Sequence, residues 1–200
     1  MALSPSNNLI THKKVSSEVS PVNCGDWNAN HDIKNLMGYI LIEERVLPAG
    51  TTSTTFSGLD GDIDEEYLIE GNIDLIPVSA ASFVYLRPNG ISSGYKGSRY
   101  GSYSGTTAVG TADITAGLLL TFSPVVEACY CCINSVLKCN PGRYKLLHSR
   151  DTVYGATRTG GSISNSALPS SENFDNLVIV CSTGSFSGTI RLWKKIPVEV

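Results

Sequence analysis

The sequence predicts an all-β protein: an antiparallel β-sandwich, jelly-roll-like, with an extended N-terminal arm. Three observations predict it. Ser and Thr fill 40 of 200 positions, while charged residues are 16% and Met only two, the composition of a turn-rich β protein rather than a helical bundle. A hydrophobic content of 42% and a mean hydropathy of +0.02 still supply a real core. Short β-branched and aromatic runs alternate with Gly, Pro, Asn and Asp clusters, and none carries a sustained 3.6-residue period. The length suits one domain, divided here into an arm, residues 1–34, and a sandwich, residues 35–200.

The arm is polar and aperiodic, broken by Pro5, Pro21 and the turn cluster Asn23–Asn30, so it gains order only by lying on something else. From Leu36 to Ile42 the texture becomes that of a strand, stopped by Pro48-Ala49-Gly50. Thr51–Phe56 is Thr-rich and reads as half-exposed. After an acidic loop, Ile69, Ile73 and Leu75 alternate with Glu70, Asn72 and Asp74, giving a strand with one wet face. Ser82–Arg87 is a strand ended by the turn Pro88-Asn89-Gly90. Residues 92–111, rich in Gly, Ser and Tyr, read as a long exposed loop, as do residues 155–173. Ile114–Phe122, Val125–Leu137 and Arg143–His148 are strands, the last two joined as a hairpin across Asn140-Pro141-Gly142. Asn176–Cys181 and Thr189–Lys195 read as a closing pair around Gly184–Gly188.

Charge and motifs narrow the function. A net charge of −3 is too near neutral for gripping phosphate backbones, so nucleic acid is not an expected partner. No apolar stretch approaches the roughly 20 residues that span a bilayer, and no signal-peptide run opens the chain, so we expect synthesis in a cytoplasm and no membrane. Asp60-Gly61-Asp62-Ile63-Asp64 carries the alternating carboxylates of a calcium loop, but Glu65 and Gly71 occupy the positions where an EF-hand needs Gly and Glu. Cys129-Tyr130-Cys131-Cys132 contains a C-x2-C, yet on a strand Cys129 and Cys131 share one face and Cys132 takes the other, which does not converge on zinc. His148-Ser149-Arg150-Asp151 places triad residue types too close in sequence for triad geometry. No phosphate loop or nucleophile elbow occurs. We therefore expect no enzyme, no metal and no cofactor.

Two sets of residues remain as candidate contacts. Tyr95, Lys96, Arg99, Tyr100 and Tyr103 interleave aromatic and basic groups, a composition that suits a protein-contact or sugar-stacking loop. Of six cysteines, Cys131 or Cys132 should be a buried thiol, while Cys24 in the arm and Cys139 beside a turn are candidate cross-links, including links between chains.

Leu177–Val180 followed by Gly184-Ser185-Phe186-Ser187-Gly188-Thr189-Ile190-Arg191-Leu192-Trp193-Lys194 resembles the closing hairpin of small β-sandwich virion proteins of tailed bacteriophages. Phe56–Tyr67 and the turn Leu86–Gly90 resemble earlier strands of the same group, so the likeness covers about residues 38–195. The resemblance implies a virion structural protein made in the host cytoplasm: capsid decoration, neck, head or tail fibre, or tail-attachment component. It also implies a homo-oligomer, commonly a trimer, in contact with other virion proteins. A glycan-binding receptor-recognition module, with Tyr95, Tyr100 and Tyr103 as stacking platforms, is the alternative.

Overall fold

Alternation decides which side of each strand is wet, and in this chain it holds through nearly every segment. The computed structural model describes residues 38–78, 81–103, 106–108, 114–123, 127–139, 142–157, 159–168, 170 and 172–196; the arm assigned to residues 1–34 and Cys24 within it lie outside them. The strands are β1 (Tyr39–Thr51), β2 (Ser53–Ser57), β3 (Glu66–Ile76), β4 (Ser82–Pro88), β5 (Lys96–Tyr103), β6 (Thr106–Ala108), β7 (Leu118–Ser123), β8 (Cys129–Cys139), β9 (Lys145–Gly155), β10 (Thr159–Leu168), β11 (Asn176–Cys181) and β12 (Ser185–Lys195). All pairings are antiparallel. One sheet runs β1-β12-β3-β8-β9-β10-β5-β6 and the other β2-β11-β4-β7, giving the expected all-β sandwich.

The apolar half of the core forms where the small sheet covers β12, β3 and β8. Phe56, Leu86, Leu177 and Ile179 from one sheet meet Ile69, Ile73, Leu75, Cys131, Ile190 and Leu192 from the other, all at 1% exposure or less. Each such aliphatic or aromatic side chain removed from water contributes about 1.5–3 kcal/mol.

The other half of the core mixes apolar side chains with a row of polar ones, and that row closes the sandwich. β7 is the edge strand of the small sheet, and an edge leaves backbone donors and acceptors unpaired. Here every residue of β7 is buried, because the strand lies across the inner face of β9 and β10. Small polar side chains on those strands meet its open edge. Ser166 Oγ accepts the Leu119 amide at 3.2 Å, Ser164 Oγ donates to the Leu119 carbonyl at 2.9 Å, and Ser149 Oγ donates to the Leu120 carbonyl at 2.8 Å. Asp151 completes the row, accepting from Thr121 Oγ1 at 2.6 Å and from the Ser162 amide and hydroxyl at 2.7 and 2.6 Å. A buried backbone group left unpaired costs about 1–3 kcal/mol, so this polar layer is a requirement of the fold.

The polar layer explains where the pattern misleads. Residues 92–111, expected to be a loop, contain β5 and β6, and residues 155–173 contain β10. In β10 the inward positions are Ser162, Ser164 and Ser166, so a strand with one buried face shows no apolar alternation. The closing pair is also corrected: β11 pairs with β2 and β4, whereas β12 pairs with β1 and β3. The chain crosses between sheets at 182–184 instead of making a hairpin. Gly184 permits it, with φ +87 and the Ile76 carbonyl oxygen 2.1 Å from where a Cβ would stand. β1 runs on through Pro48, where its register with β12 slips; an edge strand tolerates the missing amide. The β8–β9 hairpin is as expected.

Burial raises the carboxyl pKa of Asp151, against the lowering effect of its hydrogen bonds with Ser162 and Thr121 and of the nearby Arg99 charge. The folded state therefore binds this proton more tightly than the unfolded chain, and stability drops as pH rises from the ordinary aspartate range through the raised value. Urea unfolding of the wild type and Asp151→Asn across pH tests this. The wild-type stability minus that of the variant should decline over that window and then level off; a difference independent of pH contradicts the assignment.

Candidate binding face

The outer face of the large sheet splits into two chemically distinct halves. On β3 the outward residues include Glu66, Glu70 and Asp74, and on β1 Glu44; they stand with Arg191, Trp193 and Lys195 of β12. Arg191 is ion-paired to Glu44, Trp193 Nε1 donates to Glu70 Oε2 at 2.9 Å, and Tyr39 donates to Glu66. This half is charged, and Arg191, Trp193 and Tyr39 are committed to its carboxylates.

The half formed by β8, β9, β10 and β5 is different. Cross-strand register aligns Tyr130 with Tyr154, then Asn134, Arg150, Ile163 and Tyr100 in one row. Further along the strands come Val136, His148, Asn165 and Ser98, then Lys138, Leu146, Ala167 and Lys96. Tyr100, Tyr154, Leu146, Tyr130 and Ile163 are 55, 51, 43, 42 and 40% exposed, which is a large apolar content for one open sheet face. At its end lies a depression of about 550 Å³ with Val136, Leu146 and Ala167 as floor and Lys96, Lys138, His148 and Asn165 as rim. His148 Nδ1 and Asn165 Oδ1 are 2.8 Å apart, which fixes both side chains.

Of the five residues expected to form a contact loop, two reach this face. Lys96 and Tyr100 point outward from β5, a strand rather than a loop. Tyr95 is 2% exposed and its hydroxyl donates to the Ile91 carbonyl at 2.7 Å, so it is a core residue and not a stacking platform. Arg99 faces inward, its guanidinium 3.4 Å from the Phe122 ring centroid. Tyr103 ends β5 opposite Gly160, and its side chain lies outside the described residues. Sequence reading missed Tyr130 and Tyr154. They sit at outward positions of β8 and β9, where buried Ser135, Ser149 and Asp151 hide the alternation that identifies an outer face.

The acidic loop is a structural clasp. Asp60 Oδ1 accepts the amides of Asp62 and Ile63 and the side chain of Asn173, and these bonds lower its pKa. Asp62, Asp64, Glu65 and Glu66 are paired with Lys145, Lys194, Lys195 and Lys138. Lys145 is fully buried, and its ammonium lies 3.3 Å from Asp62. Carboxylates held by lysines and turn amides are not a vacant calcium cage. In His148-Ser149-Arg150-Asp151 the strand sends His148 and Arg150 outward and Ser149 and Asp151 inward, so the triad types never meet.

The cysteines follow the same alternation. Cys129 and Cys131 share the inner face with sulfurs 3.7 Å apart, and Cys132 takes the opposite face. Cys139, expected beside a turn and open to cross-linking, is the last residue of β8 and 2% exposed; burial pushes its thiol up to about 12. Among the described cysteines only Cys132 is not buried. Alkylation of the native protein followed by peptide mapping should modify Cys132 and spare Cys131 and Cys139 until denaturant is added. Rapid native modification of Cys139 contradicts this placement.

No protein-family model matches the chain, and no curated protein matches it.

Proposed function

We propose that the chain is a non-enzymatic structural subunit of a tailed-bacteriophage particle, a capsid-decoration, neck or tail component. It would be made in the host cytoplasm and act by docking on copies of itself, as a trimer, and on other virion proteins. The virion reading rests on the resemblance of Leu177–Lys194, Phe56–Tyr67 and Leu86–Gly90 to such proteins. The observation that carries the docking part is the outer face of β8, β9, β10 and β5, with five large side chains exposed on one side of the sheet. Aromatic residues and Arg are the groups enriched where proteins meet.

The geometry favours the face over the sheet edge as the point of contact. β1, the long edge strand, carries a bulge between Leu41 and Glu43, Pro48, and the charged run Glu43-Glu44-Arg45. Bulges, proline and charge are the devices that discourage edge-to-edge pairing. Cross-links between subunits would fall to Cys24 or to the outward Cys132, since Cys139 is enclosed.

The second reading, glycan recognition, is favoured by one observation: Tyr100, Tyr130 and Tyr154 share a single open face. Aromatic rings on an open sheet face give sugars stacking surfaces without a deep pocket.

Sedimentation velocity on the purified full chain tests the structural reading. A concentration-independent trimer under reducing conditions is the expected result, with Tyr154→Ala and Leu146→Ser weakening it. A monomer at high micromolar concentration overturns it.

A further inference from the structure

We propose that the outer face of β8, β9, β10 and β5 is a binding site for an acidic oligosaccharide, one bearing carboxylate or sulfate groups. This rests on the glycan reading above and adds the charge class and the path of the ligand.

The first observation is where the cations stand without anions. Elsewhere Arg45, Lys145, Arg191, Lys194 and Lys195 are ion-paired, Arg87 donates to the Ala116 carbonyl and Arg99 lies over Phe122, and Arg143 has no ion pair among the described residues. On this face Lys96 and Arg150 have no ion pair among the described residues, and Lys138 has only a 3.8 Å contact to Glu66 across the strand boundary. None of the outward positions of β8, β9, β10 or β5 among the described residues is Asp or Glu. Lys96 and Arg150 thus stand without a carboxylate partner, on an apolar and aromatic surface where an arriving anion is poorly screened.

The second observation is layout. Along β9 the outward side chains are Leu146 in the depression, His148, Arg150, Thr152 and Tyr154. Eight residues of strand span about 27 Å, so the basic depression and the Tyr130–Tyr154 pair mark the ends of a track too long for a single sugar. Arg150, with Ile163 and Tyr100 beside it, lies midway. Apolar floor and tyrosine rings suit the C–H faces of pyranose rings. Asn134, Asn165, Ser98 and Thr152 supply hydrogen bonds between them, and Lys96, Lys138 and Arg150 meet acid groups.

Competing occupants fit less well. A nucleic acid carries a charge at every step, yet β3 immediately alongside presents Glu66, Glu70 and Asp74, and the whole chain is at −3. An extended peptide gains most of its affinity by adding a strand to an edge, and a sheet face offers no free backbone for that.

Titration calorimetry on the full chain tests the site, with an oligogalacturonide, a heparin-derived oligosaccharide, a neutral cello-oligosaccharide, polyglutamate and single-stranded DNA as probes. The expected result is saturable binding of one or both acidic saccharides, weakened by salt and lowered roughly tenfold by each of Arg150→Ala and Tyr154→Ala. The first two probes separate carboxylate from sulfate recognition. Val46→Ser, on β1 away from this face, should bind like the wild type, and circular dichroism confirms folding of every variant. Binding of the neutral saccharide alone overturns the acidic assignment and leaves the glycan reading standing. Preference for polyglutamate or DNA, affinity unchanged in both face variants, or no binding of any probe overturns the proposal.

Discussion

An edge strand buried face to face against another sheet must have its backbone hydrogen bonds answered by side chains, and that constraint organises this protein. β7 belongs to the small sheet by its ladder with β4 but lies over the large sheet by its open edge. Ser149, Ser164 and Ser166 answer that edge, and Asp151 accepts the Thr121 hydroxyl and ties it to Ser162. On the opposite flank β1 passes into β2 through Thr52, whose carbonyl accepts the Cys181 amide at 2.9 Å. The sandwich is thus closed by continuous chain on one side and by hydroxyl and carboxylate groups on the other.

The same constraint shapes the outer face. The inner positions of β9 and β10 are shared between small polar residues and Leu147, Val153 and Leu168, and further large apolar and aromatic side chains of these strands stand outside. Leu146, Tyr154 and Ile163 are exposed while Ser149, Asp151, Ser162, Ser164 and Ser166 are buried, a departure from the usual order at these positions. The large side chains left open together on the outer face are the physical basis for reading it as a place where something docks. Function enters through packing: the edge that had to be capped dictates which residues are left to meet a ligand.

How much of this was legible in the sequence follows from the same feature. Strands with apolar inner faces could be read directly; Ile69, Ile73 and Leu75 alternate with polar residues, and β3 falls where that pattern stands. The sidedness of Cys129, Cys131 and Cys132 follows from strand alternation alone. β10 and β5 could not be read, because Ser-x-Ser-x-Ser looks like a linker unless the strand it serves is known to lie above it. The hairpin expected between β11 and β12 failed for a related reason, since nothing local distinguishes a turn within one sheet from a crossing between two. Of the contact residues, Lys96 and Tyr100 were found by composition, Tyr95 was misplaced because its burial depends on distant strands, and Tyr130 and Tyr154 were hidden among polar core positions.

The most direct test of the account is amide hydrogen exchange at Leu119, followed by NMR in the wild type and in Ser166→Ala. If the Ser166 hydroxyl caps the open edge of β7, the Leu119 amide should exchange as slowly as the ladder amides of β3 in the wild type. In the variant its protection should fall by roughly an order of magnitude, for a hydrogen bond of about 1 kcal/mol, while β3 is little changed. Fast exchange at Leu119 in the wild type, or protection unaffected by the substitution, would contradict the claim that side chains close this sandwich.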